Sequence, residues 1–235
     1  MGDDGRSPPG WHGKLPSLGD FASRRLDAAF VEAWDGWLAA GLLALREANP
    51  AGWLDAYLAS PSWRFLLMPG VLPGEPGRQG WAGVLMPSVD RVGRYFPFTV
   101  VLPLGDAPAT TQQMRGLWYW LGRLDELAGD ALQDDWGVDR LEAELARMSL
   151  PELDAVGAAA PAMPRDGGAL VESPPGLDAA TLIGREAQEL WRARAAGLAY
   201  WHADTELAGR RLLISRGLPA AAAIGGLLAA TIQAP

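Results

Sequence analysis

Among the side chains able to do chemistry, the densest group is Ser88-Val89-Asp90-Arg91-Val92-Gly93-Arg94, where one carboxylate and two guanidinium groups stand beside a hydroxyl. Arginine forks suit bidentate recognition of carboxylates and phosphates, so such a loop can anchor an acidic partner or an anionic ligand. Two structural readings compete. In one, Asp90 pairs with an arginine at a solvated turn, a contact contributing about 0.5 kcal/mol. In the other, Asp90 and an arginine lock into a buried pair that fixes the turn. A second group lies far upstream in Gly13-Lys14-Leu15-Pro16-Ser17-Leu18-Gly19-Asp20-Phe21, followed by Arg24 and Arg25. It holds Lys14, the only lysine in a chain with twenty Lys and Arg residues. Lys14, Ser17, Asp20 and Arg24 join Ser88, Asp90, Arg91 and Arg94 as candidate partner-binding residues. Arg64, in Ser62-Trp63-Arg64, can stand near the same sheet edge. Asp20, Arg24 and Arg25 also fit a helix cap followed by solvated helix charges.

Two nearly uncharged runs must position the loop, residues 81–86 and 95–102. Each is short for a helix, and the second is rich in aromatic and β-branched residues, so both read as strands. Neither alternates cleanly between apolar and polar, which predicts a sheet covered on both faces. Their short connection lets them pair as antiparallel neighbours, with Gly93 easing the turn. The segment 11–21 reads as an edge strand or extended stretch turning at 16–19, with Asp20 capping a short turn. Asp27 caps a helix whose Phe30, Trp34, Trp37, Leu38, Gly41, Leu42 and Leu45 recur at three- and four-residue spacing, ending near Asn49. Asn49-Pro50 then starts a second helix with Trp53, Leu54, Tyr57 and Leu58 on its apolar face, stopped by Pro61. Residues 63–68 read as a strand, and 69–80, dense in Gly and Pro, as an exposed loop.

Downstream, 105–108 is a linker, and Thr110 or Thr111 caps a helix to about Ala128, followed by a helical stretch over 138–148. Pro, Gly and Ala dominate 149–181, which reads as loop with one strand at 169–172. A helix over 184–196 carries arginines in its last turn, where they suit the helix dipole. Residues 198–203 and 211–215 look like an antiparallel pair around a turn at 204–209, and an Ala-rich helix over 219–230 closes the chain. Five or six strands and about seven helical stretches, without regular strand–helix alternation, predict an α/β fold. It is a three-layer αβα arrangement, with a mainly antiparallel or mixed sheet and helices on both faces. Residues 1–10 read as a flexible lead-in and 11–235 as one domain, with a C-terminal hairpin and helix over 197–232.

The composition excludes several classes. A net charge of −8 argues against a nucleic-acid or anionic-membrane binder. Zero cysteines remove disulfides, thiolate catalysis and cysteine metal sites. Neither a phosphate-binding glycine loop nor a G-x-S-x-G elbow is present, and His12 and His202 lie far apart and read as structural. We therefore expect no catalytic residue, no metal and no cofactor. Residues 1–10 lack the apolar core of a signal peptide, and the apolar run 220–232 is too short to span a bilayer, so no membrane insertion is expected. The competing functional reading is an enzyme or small-molecule sensor in which Lys14, Ser88, Asp90 and Arg94 converge on an anion in a deep pocket.

Four stretches occurring in order carry a resemblance: Gly13 to Phe21 as quoted above, Trp34-Asp35-Gly36-Trp37-Leu38, Pro61-Ser62-Trp63-Arg64-Phe65, and Gly83-Val84-Leu85-Met86-Pro87-Ser88-Val89-Asp90-Arg91-Val92-Gly93-Arg94-Tyr95-Phe96-Pro97. Together they resemble the TagF (ImpM) family of bacterial type VI secretion-associated proteins over about residues 10–130. Leu18 departs from the arginine or polar residue expected there. Leu213-Ile214-Ser215-Arg216-Gly217-Leu218-Pro219 resembles the family's C-terminal strand and turn. The resemblance implies a three-layer α/β domain without known catalytic activity. It also implies a cytoplasmic post-translational repressor of type VI secretion assembly, one that binds and sequesters the forkhead-associated (Fha) scaffold protein.

Overall fold

The structure, a computed structural model, describes residues 7–148, 179–205 and 209–228. In chain order its elements begin with strands β1 (Gly10–Gly13) and β2 (Ala22–Arg24), helices α1 (Ala28–Ala48) and α2 (Trp53–Leu58), and strand β3 (Trp63–Leu67). Strands β4 (Gly80–Met86) and β5 (Phe98–Leu104) follow, then helices α3 (Thr111–Gln133), α4 (Val138–Leu145) and α5 (Ala179–Ala195). Strands β6 (Leu198–Thr205) and β7 (Gly209–Arg216) and helix α6 (Ala221–Leu227) complete them. The strands form one sheet in the order β2-β1-β5-β4-β3-β6-β7, and every neighbouring pair is antiparallel.

Lack of clean alternation in the central strands has the predicted meaning: β4 is buried along its whole length, because both faces of the sheet are covered. On one face Leu66, Val84, Val100 and Leu102 pack with Leu117, Leu121 and Leu124 of α3 and Leu141 of α4. On the other, Phe65, Leu85, Val101 and Trp201 pack with Phe30, Trp34 and Leu38 of α1 and Ile224 of α6. The result is the three-layer αβα fold. Two of the buried tryptophan indoles in this layer find acceptors for their single N–H: Trp34 donates to Thr99 Oγ1 at 2.9 Å and Trp63 to Leu227 O at 2.6 Å. Trp120 and Trp201 Nε1, by contrast, have no hydrogen-bond partner among the described residues. Helix α1 is long and apolar enough by composition to cross a membrane, yet it carries its stripe of large residues into the sheet.

Several boundaries differ from expectation for identifiable reasons. Residues 11–21 do not form the sheet edge, because β2 pairs outside β1; Ala22–Arg24 is a strand, and Asp20 caps no helix. Strand β5 starts at Phe98, three residues later than expected, since Tyr95 makes only an isolated bridge to Val89 and the intervening chain is drawn toward Asp90. Helix α2 starts at Trp53, not at Pro50. Asn49 Oδ1 accepts from Gly52 N at 3.0 Å and holds an intervening turn. The segment 69–80 is not an open loop: Val71 and Leu72 are buried, and Trp81 Nε1 donates to Pro76 O at 2.8 Å from a short 3-10 turn, Glu75–Arg78. The strand expected at 169–172, most of 149–181 and the end of the last helix lie outside the described residues.

Helix α3 begins with a capping box, in which Thr110 Oγ1 accepts from Gln113 N at 3.1 Å and Gln113 Oε1 accepts from Thr110 N at 3.1 Å. Thr110→Ala is expected to cost about 1 kcal/mol, read as a fall of about 3 °C in melting temperature by circular dichroism.

Candidate functional site

The two charged segments, whose Lys14 and Asp90 are 76 positions apart, interlock at one end of the sheet. At the end of β1, Gly13 adopts φ +129°, which only glycine takes readily. The chain thereby swings beneath the 87–97 connection of β4 and β5. A Cβ at Gly13 would lie 2.2 Å from Pro97 O. Lys14 is thus delivered to Asp90, Nζ to Oδ2 at 2.5 Å, with the two residues only 2% and 3% exposed. Lys14 Nζ also lies 4.2 Å from the centroid of the Phe21 ring, a cation–π contact.

Asp90 is saturated. Its Oδ1 accepts from Val92 N at 3.0 Å and Arg94 N at 2.9 Å, and its Oδ2 accepts from Arg94 Nε at 2.7 Å as well as from Lys14. Burial pushes this carboxyl up. The hydrogen bonds from Lys14, from Arg94 through backbone and side chain, and from Val92 N outweigh it and hold the group well below the usual carboxylate range. Ser88 is spent in the same way. Its Oγ donates to Lys14 O at 2.7 Å, its N donates to Tyr57 OH at 2.8 Å, and its carbonyl accepts from that hydroxyl at 3.0 Å. Burial drives the Tyr57 phenol upward, so it stays a neutral donor. Further out, Arg91 N donates to Leu18 O at 2.9 Å and Arg94 Nη2 donates to Gly19 O. Ser17 Oγ donates to Trp136 O at 2.7 Å, pinning the upstream turn to the α3–α4 junction.

This geometry corrects the picture of a solvated hairpin end. Asp90 lies beneath the surface, and its innermost partner is a lysine rather than an arginine. Lys14, Ser88 and Asp90 form the base, whereas Asp20, Arg91 and Arg94 are exposed at the rim; Arg24, also exposed, is carried away from it to the register position opposite Trp11. The Arg91 side chain makes no hydrogen bond or ion pair among the described residues and lies against Gly19. Arg94 divides itself between Asp90, Gly19 O and, at 3.8 Å, Asp20 Oδ1. Arg24 donates to Ser23 O and stands 5.9 Å from the Trp11 ring, while Arg25 pairs with Glu142. Between these charges Phe21 and Val92 expose apolar surface. Phe21 is backed by Phe96 and His12, with ring centroids at 4.8 Å and 6.1 Å.

Arg64 is not brought to this tip. It points to the α3 face, with Nε 3.0 Å from Asp125 Oδ2 and Nη1 3.6 Å from Asp204 Oδ2, and Ser62 Oγ donates to the same Asp125. The sequence reading missed Tyr57 and His12 as members of the tip. Tyr57 carried only its helical periodicity as a signal, and nothing in the sequence pairs His12 with Asp35, 3.3 Å from its Nε2. Among the described residues no group of histidines and carboxylates is arranged to hold a metal ion.

The antiparallel αβα sandwich and its interlocked tip belong to a chain that is similar to type VI secretion-associated proteins. Residues 10–148 match the family model of the TagF N-terminal domain, type VI secretion system-associated, and the chain belongs to this family. It is also similar to the crystal structure of PA0076 from Pseudomonas aeruginosa PAO1, at 34% identity and a TM-score of 0.71, over 97% of this chain and 96% of that one. No protein with a curated description gives a match.

Proposed function

We propose that this chain is a non-enzymatic cytoplasmic regulator that represses type VI secretion assembly after translation, by binding and sequestering the Fha scaffold protein. Family membership supports the pathway. The observation that carries the surface is the tip: in a chain of net charge −8, Arg94 and Arg91, the latter unpaired among the described residues, stand beside exposed Phe21 and Val92 on a base made rigid by a buried ion pair. Aromatic and arginine side chains preorganised in this way are the usual energetic centres of protein interfaces. The alternative, a pocket in which Lys14, Ser88, Asp90 and Arg94 bind or transform an anion, needs polar atoms facing a cavity. Here the lysine, serine and aspartate face one another.

Calorimetric titration against the Fha protein of the same organism tests the reading. We expect saturable one-to-one binding, weakened about tenfold by Arg91→Ala with the melting temperature unchanged. Absence of binding at tens of micromolar would remove the partner, and an unaffected Arg91→Ala variant would remove the surface.

A further inference from the structure

The opposite end of the sheet is built differently. Strand β7 is the last in the order and pairs with β6, so among the described residues no strand lies against the other side of its backbone. Its registers Leu212↔His202 and Ile214↔Tyr200 place Leu212 and Ile214 on the α3 side of the sheet, where Trp118 meets His202 and Tyr200 packs into the core. Among the described residues the helical layer does not extend over β7: Leu212 is 61% and Ile214 52% exposed. Leu213, on the other face, packs against the α1 core. The strand therefore offers an open edge and an open apolar face together. Arg210 and Arg216 flank the apolar pair on that same face, and both are exposed. Arg216 has only Ala196 O, at 3.4 Å, for a partner and no carboxylate among the described residues. Arg210 Nε lies 3.5 Å from Asp204 Oδ1, a carboxylate shared with Arg64.

A second copy of the chain is a poor occupant. Two-fold antiparallel pairing of β7 with itself keeps the apolar residues together only when Leu212 opposes Ile214 of the other copy. That register sets Arg210 opposite Arg216 at both ends, and like charges directly opposed destabilise a ladder. Shifting by two residues pairs Leu212 or Ile214 with its own copy and sets the other against an arginine. Shifting by one turns the apolar residues to the wrong face. The same edge accepts without conflict a strand bearing carboxylates where the self-pair has arginines.

We propose that β7 is a docking edge for an extended segment of a partner protein with the pattern acidic-x-apolar-x-apolar-x-acidic, added as an eighth strand. Backbone hydrogen bonds supply affinity and the alternate side chains supply selectivity, as in strand addition generally. This surface is separate from the tip.

The test uses the full chain and fluorescein-labelled peptides Asp-Thr-Val-Thr-Val-Thr-Asp and Lys-Thr-Val-Thr-Val-Thr-Lys, followed by anisotropy. The acidic peptide is expected to bind about tenfold more tightly than the basic one, with the preference inverted by a folded Arg210→Glu, Arg216→Glu variant. Equal binding of the two peptides, or none up to millimolar concentration, would overturn the proposal and leave the arginines as guards against edge pairing. Self-association of the free chain in sedimentation, abolished by Ile214→Asp, would also overturn it by making a second copy the occupant.

Discussion

Lys14→Met is expected to lower the melting temperature by about 10 °C at neutral pH, because it leaves the buried Asp90 carboxylate without its innermost cation. The side chain itself fits, since methionine replaces the lysine stem at similar volume beside Phe21; what is lost is the charge. The double variant Lys14→Met, Asp90→Asn should recover part of the fall, since an asparagine oxygen still accepts from Val92 N and Arg94 N. Acid provides the same test without mutation. The Asp90 carboxyl is depressed in the folded chain and sits near 4 in an unfolded one. Its stabilising contribution is therefore complete above about pH 5, shrinks as the pH falls through 4, and continues to decline below that. Melting temperature against pH should consequently fall more steeply between pH 5 and 2 in the parent than in Asp90→Asn. Parallel curves would show that Asp90 does not carry this effect.

Gly13→Ala should be about as damaging, about 3 kcal/mol, because strain and overlap act together. The backbone there is at φ +129° and the new methyl would meet Pro97 O. Relief requires moving either β1 or the 87–97 connection, and both hold the Lys14–Asp90 pair. Gly93 provides the internal comparison: its φ is +83° but nothing lies within 4 Å of a Cβ there. Gly93→Ala should thus show the backbone cost alone, about 1 kcal/mol. Chemical denaturation of both variants measures the difference, and equal losses would place the Gly13 effect in the backbone rather than in the packing.

The legibility of this fold in its sequence depended on range. Helices α1 and α3 announce themselves through repeats within a few residues, and β4 through an unbroken apolar run, because those signals are local. Strand β2 was hidden, since Ala22–Arg24 is three residues of mixed polarity whose conformation is imposed by β1. Burial of Val71 and Leu72 was hidden too: Gly and Pro correctly marked a turn, but an indole five residues on decided that the turn folds inward. At the candidate site the residue types were visible and their partners were not. The Lys14–Asp90 contact spans 76 positions, and no periodicity connects them. Arg64 was drawn wrongly toward the tip because proximity to a sheet end says nothing about which face a side chain takes; Asp125 and Asp204 claim it on the α3 side.

The solitary lysine has a practical chemical consequence. Since the chain has no other ε-amine and this one is enclosed between Asp90 and Phe21, an acylating reagent meets no reactive side-chain amine on the intact molecule beyond the amino terminus. Label that does accumulate at position 14 must enter during excursions in which the 87–97 connection lifts away. The rate of acylation at a single atom is then a native-state clock for the opening of the tip, readable by mass spectrometry on the unmodified sequence and sensitive to any partner that clamps it shut.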